Sequence, residues 1–163
     1  QGTGARRWPY HHAMPHTPRP THEDGLVHGV VVGCRDPHGR WLVIRRSAHV
    51  AAPLQVCFPG GAKEHGESFE QAGVREAREE LGLDVALIDR VWDWRCPDRP
   101  LRLLGYFARI TGGELQPDPQ EVAEAMWLTA EQITAHPDMM PGTELLVERL
   151  VRVFERQSGI TDC

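Results

Sequence analysis

The sequence lacks the cysteine arrangements of a disulfide framework or of a structural zinc site. Its four cysteines, Cys34, Cys57, Cys96 and Cys163, are scattered and include no C-x-x-C pair. A chain of 163 residues buries roughly two-thirds of its unfolded surface, so its core needs no covalent staples. The scatter therefore predicts free thiols in a reducing compartment, which favours a cytoplasmic location.

The sequence also lacks long apolar runs and a positive charge excess. No run approaches the roughly 20 apolar residues that a membrane-spanning helix needs, and residues 1–16 lack the apolar stretch of a secretory signal. We therefore expect no membrane partner. The formal net charge of −5 argues against a protein that coats nucleic acid, so no nucleic-acid partner is expected. A small anionic substrate remains compatible with this charge if metal ions screen it.

The chain divides by composition into an arm and one domain. Residues 1–24 are rich in proline and histidine and show little apolar periodicity, which predicts a flexible N-terminal arm. A metal-binding role for His11, His12 and His16 is less favoured than a solvated tail. The chain as a whole is 40% hydrophobic and 25% charged, near the average for folded proteins, so residues 25–160 are predicted to form a single globular domain.

The apolar patterns of this domain predict strands and helices without a strict alternation. Val27–Cys34 and Trp41–Arg45 flank a turn-like segment at 36–39, which predicts a hairpin. The remaining predicted elements are strands at Gln55–Phe58, Val85–Trp94, Leu101–Ile110 and Ala123–Leu128, and helices at Phe69–Leu81, Ala130–Ala135 and Thr143–Arg156. This mixture predicts an α+β fold with a mixed central sheet between helices.

One predicted helix carries an unusual cluster of acids. Ser68 followed by Gln71 forms a capping box, and Gly82 is a glycine C-cap, so the helix spans Phe69–Leu81. At ~100° per residue, three glutamates share one face and an apolar stripe occupies the opposite face. The glutamates are Glu76, Glu79 and Glu80, and the stripe is Val74, Ala77 and Leu81.

The three glutamates repel one another, because like charges at this spacing destabilise a helix. Magnesium prefers oxygen ligands and would offset that repulsion, whereas the alternative is a solvated acidic face with ordinary ion pairs. Gly60 and Gly61 precede the helix and allow a sharply turning backbone that offers a carbonyl to a metal. Glu67 and Arg75 are spaced to pair and to brace this loop. The combination favours phosphoryl chemistry, which depends on charge neutralisation and positioning.

At this point the sequence resembles the Nudix hydrolase family. The family's signature, which we call the box motif, matches at Gly61, Glu67, Arg75-Glu76, Ala77, Glu79-Glu80, Gly82 and Leu83. The resemblance implies a Nudix-type α/β/α sandwich and a pyrophosphohydrolase that uses Mg²⁺, with Mn²⁺ as a substitute.

The resemblance also implies a role for each matched residue. Glu76, Glu79 and Glu80 would ligate the metal with the Gly60 carbonyl nearby, and Glu79 and Glu80 would take part in catalysis. Gly61, Glu67, Arg75 and Gly82 would be structural. A downstream acid would add a ligand or act as base; of Glu121 and Glu124, we prefer Glu121.

The sequence indicates the type of reaction more clearly than it indicates the substrate. Arg45 and Arg46 leave the second predicted strand near the glycine loop, where they would meet phosphate oxygens, unless they are simply exposed arginines at a strand end. The family implies a small phosphorylated substrate, a nucleotide derivative, and allows a homodimer. Nucleoside triphosphates, ADP-ribose, nucleotide sugars, dinucleoside polyphosphates and coenzyme A all remain open.

Two alternative functions are compatible with the same fold. An isopentenyl diphosphate isomerase would place a catalytic cysteine near Cys57, but that family needs Cys-Gly-His at the strand end, where this chain has Phe58-Pro59-Gly60-Gly61. A non-catalytic Nudix-like module that binds a nucleotide or regulates a partner would normally have lost box carboxylates. Here all of them are present, so the sequence favours the hydrolase.

Overall fold

The computed structural model describes residues 19–159, which contain seven strands and three helices. In chain order these are β1 (Val27–Cys34), β2 (Trp41–Arg46), β3 (Val56–Cys57), β4 (Gly60–Ala62), α1 (Phe69–Leu81), β5 (Leu83–Arg95), β6 (Leu101–Gly113), β7 (Val122–Leu128), α2 (Ala130–Ala135) and α3 (Thr143–Gln157). Residues 1–18 of the predicted arm, with its three histidines at 11, 12 and 16, lie outside this range, as does Cys163. The domain boundary at residue 24 stays a prediction.

The strands form two sheets. The first has the order β4-β1-β6-β5 and is mixed, because β1 and β6 run parallel while the other pairs are antiparallel. The second has the order β3-β2-β7 and is antiparallel throughout. The predicted α+β fold with a mixed sheet is therefore confirmed, with the addition of a smaller sheet beside it.

The predicted hairpin of β1 and β2 is wrong. An isolated bridge joins Arg35, the residue after β1, to Trp41 of β2, but the two strands belong to different sheets. β2 is buried from Trp41 to Ile44 without alternation, so both of its faces need apolar partners. A turn between two apolar runs predicts a change of direction. It does not show which strands exchange hydrogen bonds, because that depends on distant segments.

Two helices cover opposite faces of the mixed sheet. A Cβ placed on Gly73 of α1 would lie 3.4 Å from Val32 Cγ2, whereas a Cβ on Gly33 would lie 2.5 Å from Leu150 Cδ1 of α3. Val32 and Gly33 are neighbours in β1, and neighbouring strand residues point to opposite faces. The sheet is thus enclosed between α1 and α3, which is the predicted sandwich.

Candidate active site

Helix α1 begins and ends at the predicted residues because local hydrogen bonds close both ends. Ser68 Oγ accepts from the Gln71 backbone N–H at 3.0 Å, and Gln71 Oε1 accepts from the Ser68 N–H at 2.8 Å. At the other end Gly82 adopts a left-handed conformation with φ 70°, and its N–H donates to the Arg78 carbonyl. These caps fix the phase of the helix and hence the positions of its acids.

The predicted separation of acidic and apolar faces on α1 is wrong for two of the three glutamates. Glu80 is 3% exposed and Glu76 is 8% exposed, so they lie on the same buried face as Ala77 and Leu81. Val74, assigned to the apolar stripe, is 42% exposed. The helix therefore packs its carboxylates inward, which the apolar pattern alone does not predict.

The two glycines before the helix make room for these carboxylates. A Cβ on Gly61 would lie 2.4 Å from the carboxyl carbon of Glu76, and one on Gly60 would lie 1.9 Å from the carbonyl oxygen of Val30. The Gly60 N–H also donates to Glu80 Oε2 at 3.0 Å. The glycine backbone of β4 thus passes between β1 and the acids, as close approach requires.

Burial changes the acidity of both inward-facing glutamates. Burial, followed by the negative charge of Glu76, raises the pKa of Glu80 to about 8. Burial also raises the pKa of Glu76 to about 6, although the charge of Arg75 opposes this shift. Two buried carboxylates of this kind, beside a backbone that leaves no space for a side chain, form an oxygen-rich cradle that suits a hard divalent cation.

Arg75 connects the loop before α1 to the acids on it. Its guanidinium group donates to both oxygens of Glu67, at 2.7 and 3.1 Å, and to the Ala62 carbonyl at 2.9 Å. The same group donates to Glu76 at 2.9 Å and to Glu79 at 3.0 Å. The hydrogen bonds from Arg75 also hold the pKa of Glu67 below its usual range. The predicted pairing of Glu67 and Arg75 is present.

The side chains of the three predicted metal ligands do not converge on one point. Glu80 is held by Gly60, while Glu79, whose side chain is 59% exposed, is held by Arg75. Within residues 19–159, no group of three or more His, Cys, Asp or Glu side chains is arranged to hold a metal ion. Metal ligation by these glutamates and by the Gly60 carbonyl stays a prediction, and it requires Arg75 to yield part of its carboxylate contacts.

The two arginines predicted to bind phosphate point in different directions. Arg45 donates to Asp138 and to the Leu54 carbonyl, each at 2.9 Å, on the face of β2 away from α1. Arg46 follows a register shift in β2, and its charge lowers the pKa of the buried Glu80 against the larger effect of burial. The charge of Arg46 therefore acts on the buried Glu80, whereas Arg45 lies in a separate ion pair with Asp138.

The structure also separates the two candidate downstream acids. Glu124 lies 3.8 Å from Arg45 and thus belongs to that ion pair. The negative charge of Glu121 acts on α1. Burial is the largest cause that raises the pKa values of Glu76 and Glu80, and the charge of Glu121 is a smaller cause in the same direction. Its backbone carbonyl accepts from the Ser47 N–H at 2.9 Å, next to Arg46. Of the two acids, Glu121 is the one whose charge acts on the buried glutamates of α1.

The charges of this site also act on Arg19, which the charge of Arg99 affects in turn, and the sequence pattern indicates neither arginine. The pKa of Arg19 is lowered by burial of its guanidinium group, although the residue as a whole is exposed, and by the charges of Arg46 and Arg99. The charges of Glu76 and Glu121 act on it in the opposite direction. Neither arginine lies in the box motif, so no sequence signal marked them.

A family model described as the NUDIX domain matches residues 26–150 of the chain. The chain belongs to the NUDIX family. Within the curated proteins, this NUDIX chain is 32% identical over 110 residues to the NAD-capped RNA hydrolase NudC of Stutzerimonas stutzeri (strain A1501), which covers 68% of the chain and 40% of that protein. The chain thus spans less than half the length of that relative.

Solved structures agree on the fold. The MutT protein from Methanosarcina mazei Go1 matches this NUDIX chain with a TM-score of 0.69 at 19% identity, covering 80% of the chain and 96% of that structure. An ADP-ribose pyrophosphatase from Streptococcus suis 89-1591 matches with a TM-score of 0.61 at 18% identity, covering 80% and 91%. The predicted enzyme family, the Nudix hydrolases, and the predicted sandwich are confirmed.

None of the helices between residues 19 and 159 has the length and apolarity to cross a membrane.

Proposed function

We propose that this NUDIX chain hydrolyses the diphosphate linkage of a nucleotide derivative with the aid of Mg²⁺ or Mn²⁺. The observation that carries the proposal is the burial of Glu76 and Glu80 against the Gly60–Gly61 backbone. Burying two neighbouring carboxylates is costly, and a divalent cation is the partner that best offsets it. If these acids had no buried partner to bind, they would be expected on the exposed face of the helix.

In this proposal, the residues of the site have separate roles in the reaction. Glu76, Glu79, Glu80 and the Gly60 carbonyl would hold the cation, which would supply charge neutralisation for the diphosphate. Arg46 binds phosphate oxygens beside it. Glu121 accepts a proton from the attacking water as oxygen bonds to phosphorus. The bond from that phosphorus to the bridging oxygen breaks, and two phosphate-bearing products leave.

The names of the relatives guide the choice of substrate. They are an NAD-capped RNA hydrolase and an ADP-ribose pyrophosphatase, and a further fold relative is a UDP-X diphosphatase with a TM-score of 0.67. These names share a nucleoside joined through a diphosphate to a second group. We therefore propose a substrate of that type, and the net charge of −5 favours a small dinucleotide or nucleotide sugar over RNA.

Two properties of the chain accompany this proposal. Cys34, Cys57 and Cys96 are buried free thiols, which supports a reducing, cytoplasmic location. Burial raises the pKa of the Cys57 thiol to about 11, so it stays neutral and gives no support to an isomerase that uses this residue. A homodimer stays a prediction.

The test is a substrate panel incubated with Mg²⁺ and analysed by ³¹P NMR and chromatography. The panel contains NAD⁺, ADP-ribose, UDP-sugars, nucleoside triphosphates, dinucleoside polyphosphates, coenzyme A and NAD-capped RNA. We expect phosphomonoester products from at least one dinucleotide or nucleotide sugar, and their loss on removal of the metal by EDTA. Binding without turnover across the whole panel would instead establish a non-catalytic module.

The matched variants are Glu79→Gln and Glu131→Gln. Each variant replaces an exposed glutamate of a helix. Glu79 belongs to the proposed metal site on α1, whereas Glu131 lies in α2, outside the site. We expect Glu79→Gln to lower turnover at least about 100-fold with an unchanged melting temperature, as loss of a metal ligand would. Equal turnover by the Glu79 variant and the wild type would remove the proposed metal role.

A further inference from the structure

Ser47 is a buried polar residue that the proposed reaction does not use. It follows β2 and is 3% exposed, although serine is usually found at the surface. Its Oγ donates to the Gln120 carbonyl at 2.6 Å and accepts from the His49 N–H at 3.2 Å. The backbone N–H of Ser47 donates to the Glu121 carbonyl at 2.9 Å. Ser47 therefore binds two successive carbonyls of the segment that carries Glu121.

That segment, residues 118–121, is a tight turn that we call the Glu121 turn. Asp118 Oδ1 accepts from the Gln120 N–H at 2.9 Å, and the Asp118 carbonyl accepts from the Glu121 N–H at 3.0 Å. Asp at the first position and Pro119 at the second are residues that a four-residue turn favours. Because the proline ring fixes φ at Pro119, the turn has little freedom even before tertiary contacts form.

Hydrogen bonds from two sides hold the backbone of the Glu121 turn. Asp118 accepts from the N–H groups of Gln120 and Glu121, and Ser47 donates to the carbonyls of the same two residues. All four backbone polar groups are thus bound, so these residues cannot rotate without breaking a hydrogen bond. The direction in which the Glu121 side chain leaves the backbone is therefore fixed, although the residue itself is exposed.

The Glu121 turn is also joined directly to the acidic helix. The Asp118 N–H donates to the Glu80 carbonyl at 2.8 Å, and the Gln116 N–H donates to the Leu81 carbonyl at 2.9 Å. Both carbonyls belong to the last turn of α1, where no residue of the helix itself can bind them. Asp118 thus contacts Glu80 through its N–H and Glu121 through its carbonyl. This arrangement sets the spacing between the backbones of the two acids.

We propose that Ser47 and Asp118 are positioning residues that hold Glu121 where its carboxylate accepts the proton of the attacking water. The inference rests on the proposed function, in which Glu121 is the proton acceptor. Such a base must lie within hydrogen-bond reach of the water, and a misplacement of about 1 Å can lower the rate on the order of 100-fold. Ser47 and Asp118 act through the backbone of the Glu121 turn, not through contact with the substrate.

A double-mutant cycle tests Ser47, with kcat and KM measured in Mg²⁺ on the panel substrate that turns over fastest. We expect Ser47→Ala to lower kcat about ten-fold and to leave KM within about two-fold, because a displaced base affects the reaction more than substrate binding. In the Glu121→Gln background the same change should lower kcat less than about two-fold, since Ser47 acts through Glu121. Equal losses in both backgrounds would overturn the proposal.

Asp118→Asn and Asp118→Ala form a matched pair for the other side of the turn. Asparagine keeps an oxygen that accepts from the Gln120 N–H but lacks the charge, whereas alanine removes both. We expect kcat within about two-fold of the wild type for Asp118→Asn and about ten-fold lower for Asp118→Ala. Equal losses in the two variants would show that Asp118 acts through its charge and would overturn its positioning role.

Amide hydrogen exchange in the metal-free protein measures the turn without any reaction. We expect the amides of Gln120 and Glu121 to exchange at least about ten-fold faster in Ser47→Ala than in the wild type, because the turn opens locally more often. The control is Thr129→Ala, which removes a hydroxyl that caps α2 away from the site. Equal exchange of these amides in the Ser47 and Thr129 variants would contradict the positioning role.

The outcomes separate this inference from the proposed function. Hydrolysis by the wild type, with losses on Ser47→Ala that do not depend on Glu121, would overturn the inference and leave the function standing. Faster exchange in the Ser47 variant, without hydrolysis of any panel member, would overturn the proposed function and with it the catalytic role of the Glu121 turn.

Discussion

Gly61 leaves the space that the Glu76 carboxylate occupies: a Cβ on Gly61 would lie 2.4 Å from the carboxyl carbon. Glu76 is 8% exposed and cannot move outward without leaving its contact with Arg75. The glycine is therefore required by the neighbouring side chain. This relationship ties the loop and the helix of the box motif into one unit.

Replacement of Gly61 by alanine should displace the Glu76 carboxylate. We expect Gly61→Ala to weaken Mn²⁺ binding roughly ten-fold or more, since a displaced ligand loses its geometry at the metal. Calorimetric titration with Mn²⁺ measures this. Gly66→Ala in the same loop has no neighbour within 4 Å and serves as a control for backbone effects, with the strain of φ 83° included. Equal Mn²⁺ affinity in both variants would contradict the steric argument.

Glu67→Gln should weaken metal binding indirectly. Without its main partner, the Arg75 guanidinium is freer to hold Glu76 and Glu79, and it then competes with the cation for those carboxylates. We expect the Mg²⁺ concentration for half-maximal activity to rise about ten-fold, as for other residues that orient metal ligands.

The control for this variant is Glu64→Gln. Glu64 lies 4.0 Å from Arg75 with a side chain that is 66% exposed, so its loss should change little. If both variants require the same Mg²⁺ concentration as the wild type, the brace has no influence on the metal site.

The metal-free protein should become less stable as pH rises from about 5 to 9. The folded state keeps the Glu80 proton up to about pH 8 and the Glu76 proton up to about pH 6, whereas both are released near pH 4.5 in the unfolded chain. Because the folded state binds more protons in this range, its stability falls with pH. The acids with lowered pKa, such as Glu67, act at lower pH and do not cancel this trend.

Melting temperatures in EDTA at several pH values test this prediction. Glu80→Gln should flatten the decline above pH 6, since it removes the group that ionises there. Added Mg²⁺ should raise the melting temperature more at pH 9 than at pH 6, because it binds the ionised carboxylates. A metal-free melting temperature that rises with pH over this range would contradict the argument.

Gly33→Ala should destabilise the fold without affecting the metal site. Its new Cβ would lie 2.5 Å from Leu150 Cδ1 in α3, and Leu150 is fully buried, so the neighbour cannot easily move. We expect a loss of about 1–3 kcal/mol in the free energy of unfolding, as for overpacking elsewhere. Urea denaturation measures it. Gly112→Ala, whose Cβ would lie 3.3 Å from an Asp84 oxygen, is the control.

The sequence alone determined the features that depend on neighbouring residues. The bounds of α1 were predicted to the residue, because Ser68, Gln71 and Gly82 close the helix through contacts within a few positions. The pairing of Glu67 with Arg75 was predictable for a similar reason, since both lie on one loop and helix. The box motif likewise lies within one continuous segment and indicated the family correctly.

The tertiary structure decided everything that depends on distant segments. It placed β1 and β2 in different sheets, turned Glu76 and Glu80 inward beside β4, and sent Arg45 to Asp138. Hydrophobic periodicity assigns polar side chains to the solvent by default, whereas burial of a charge depends on which partners the completed fold brings to it.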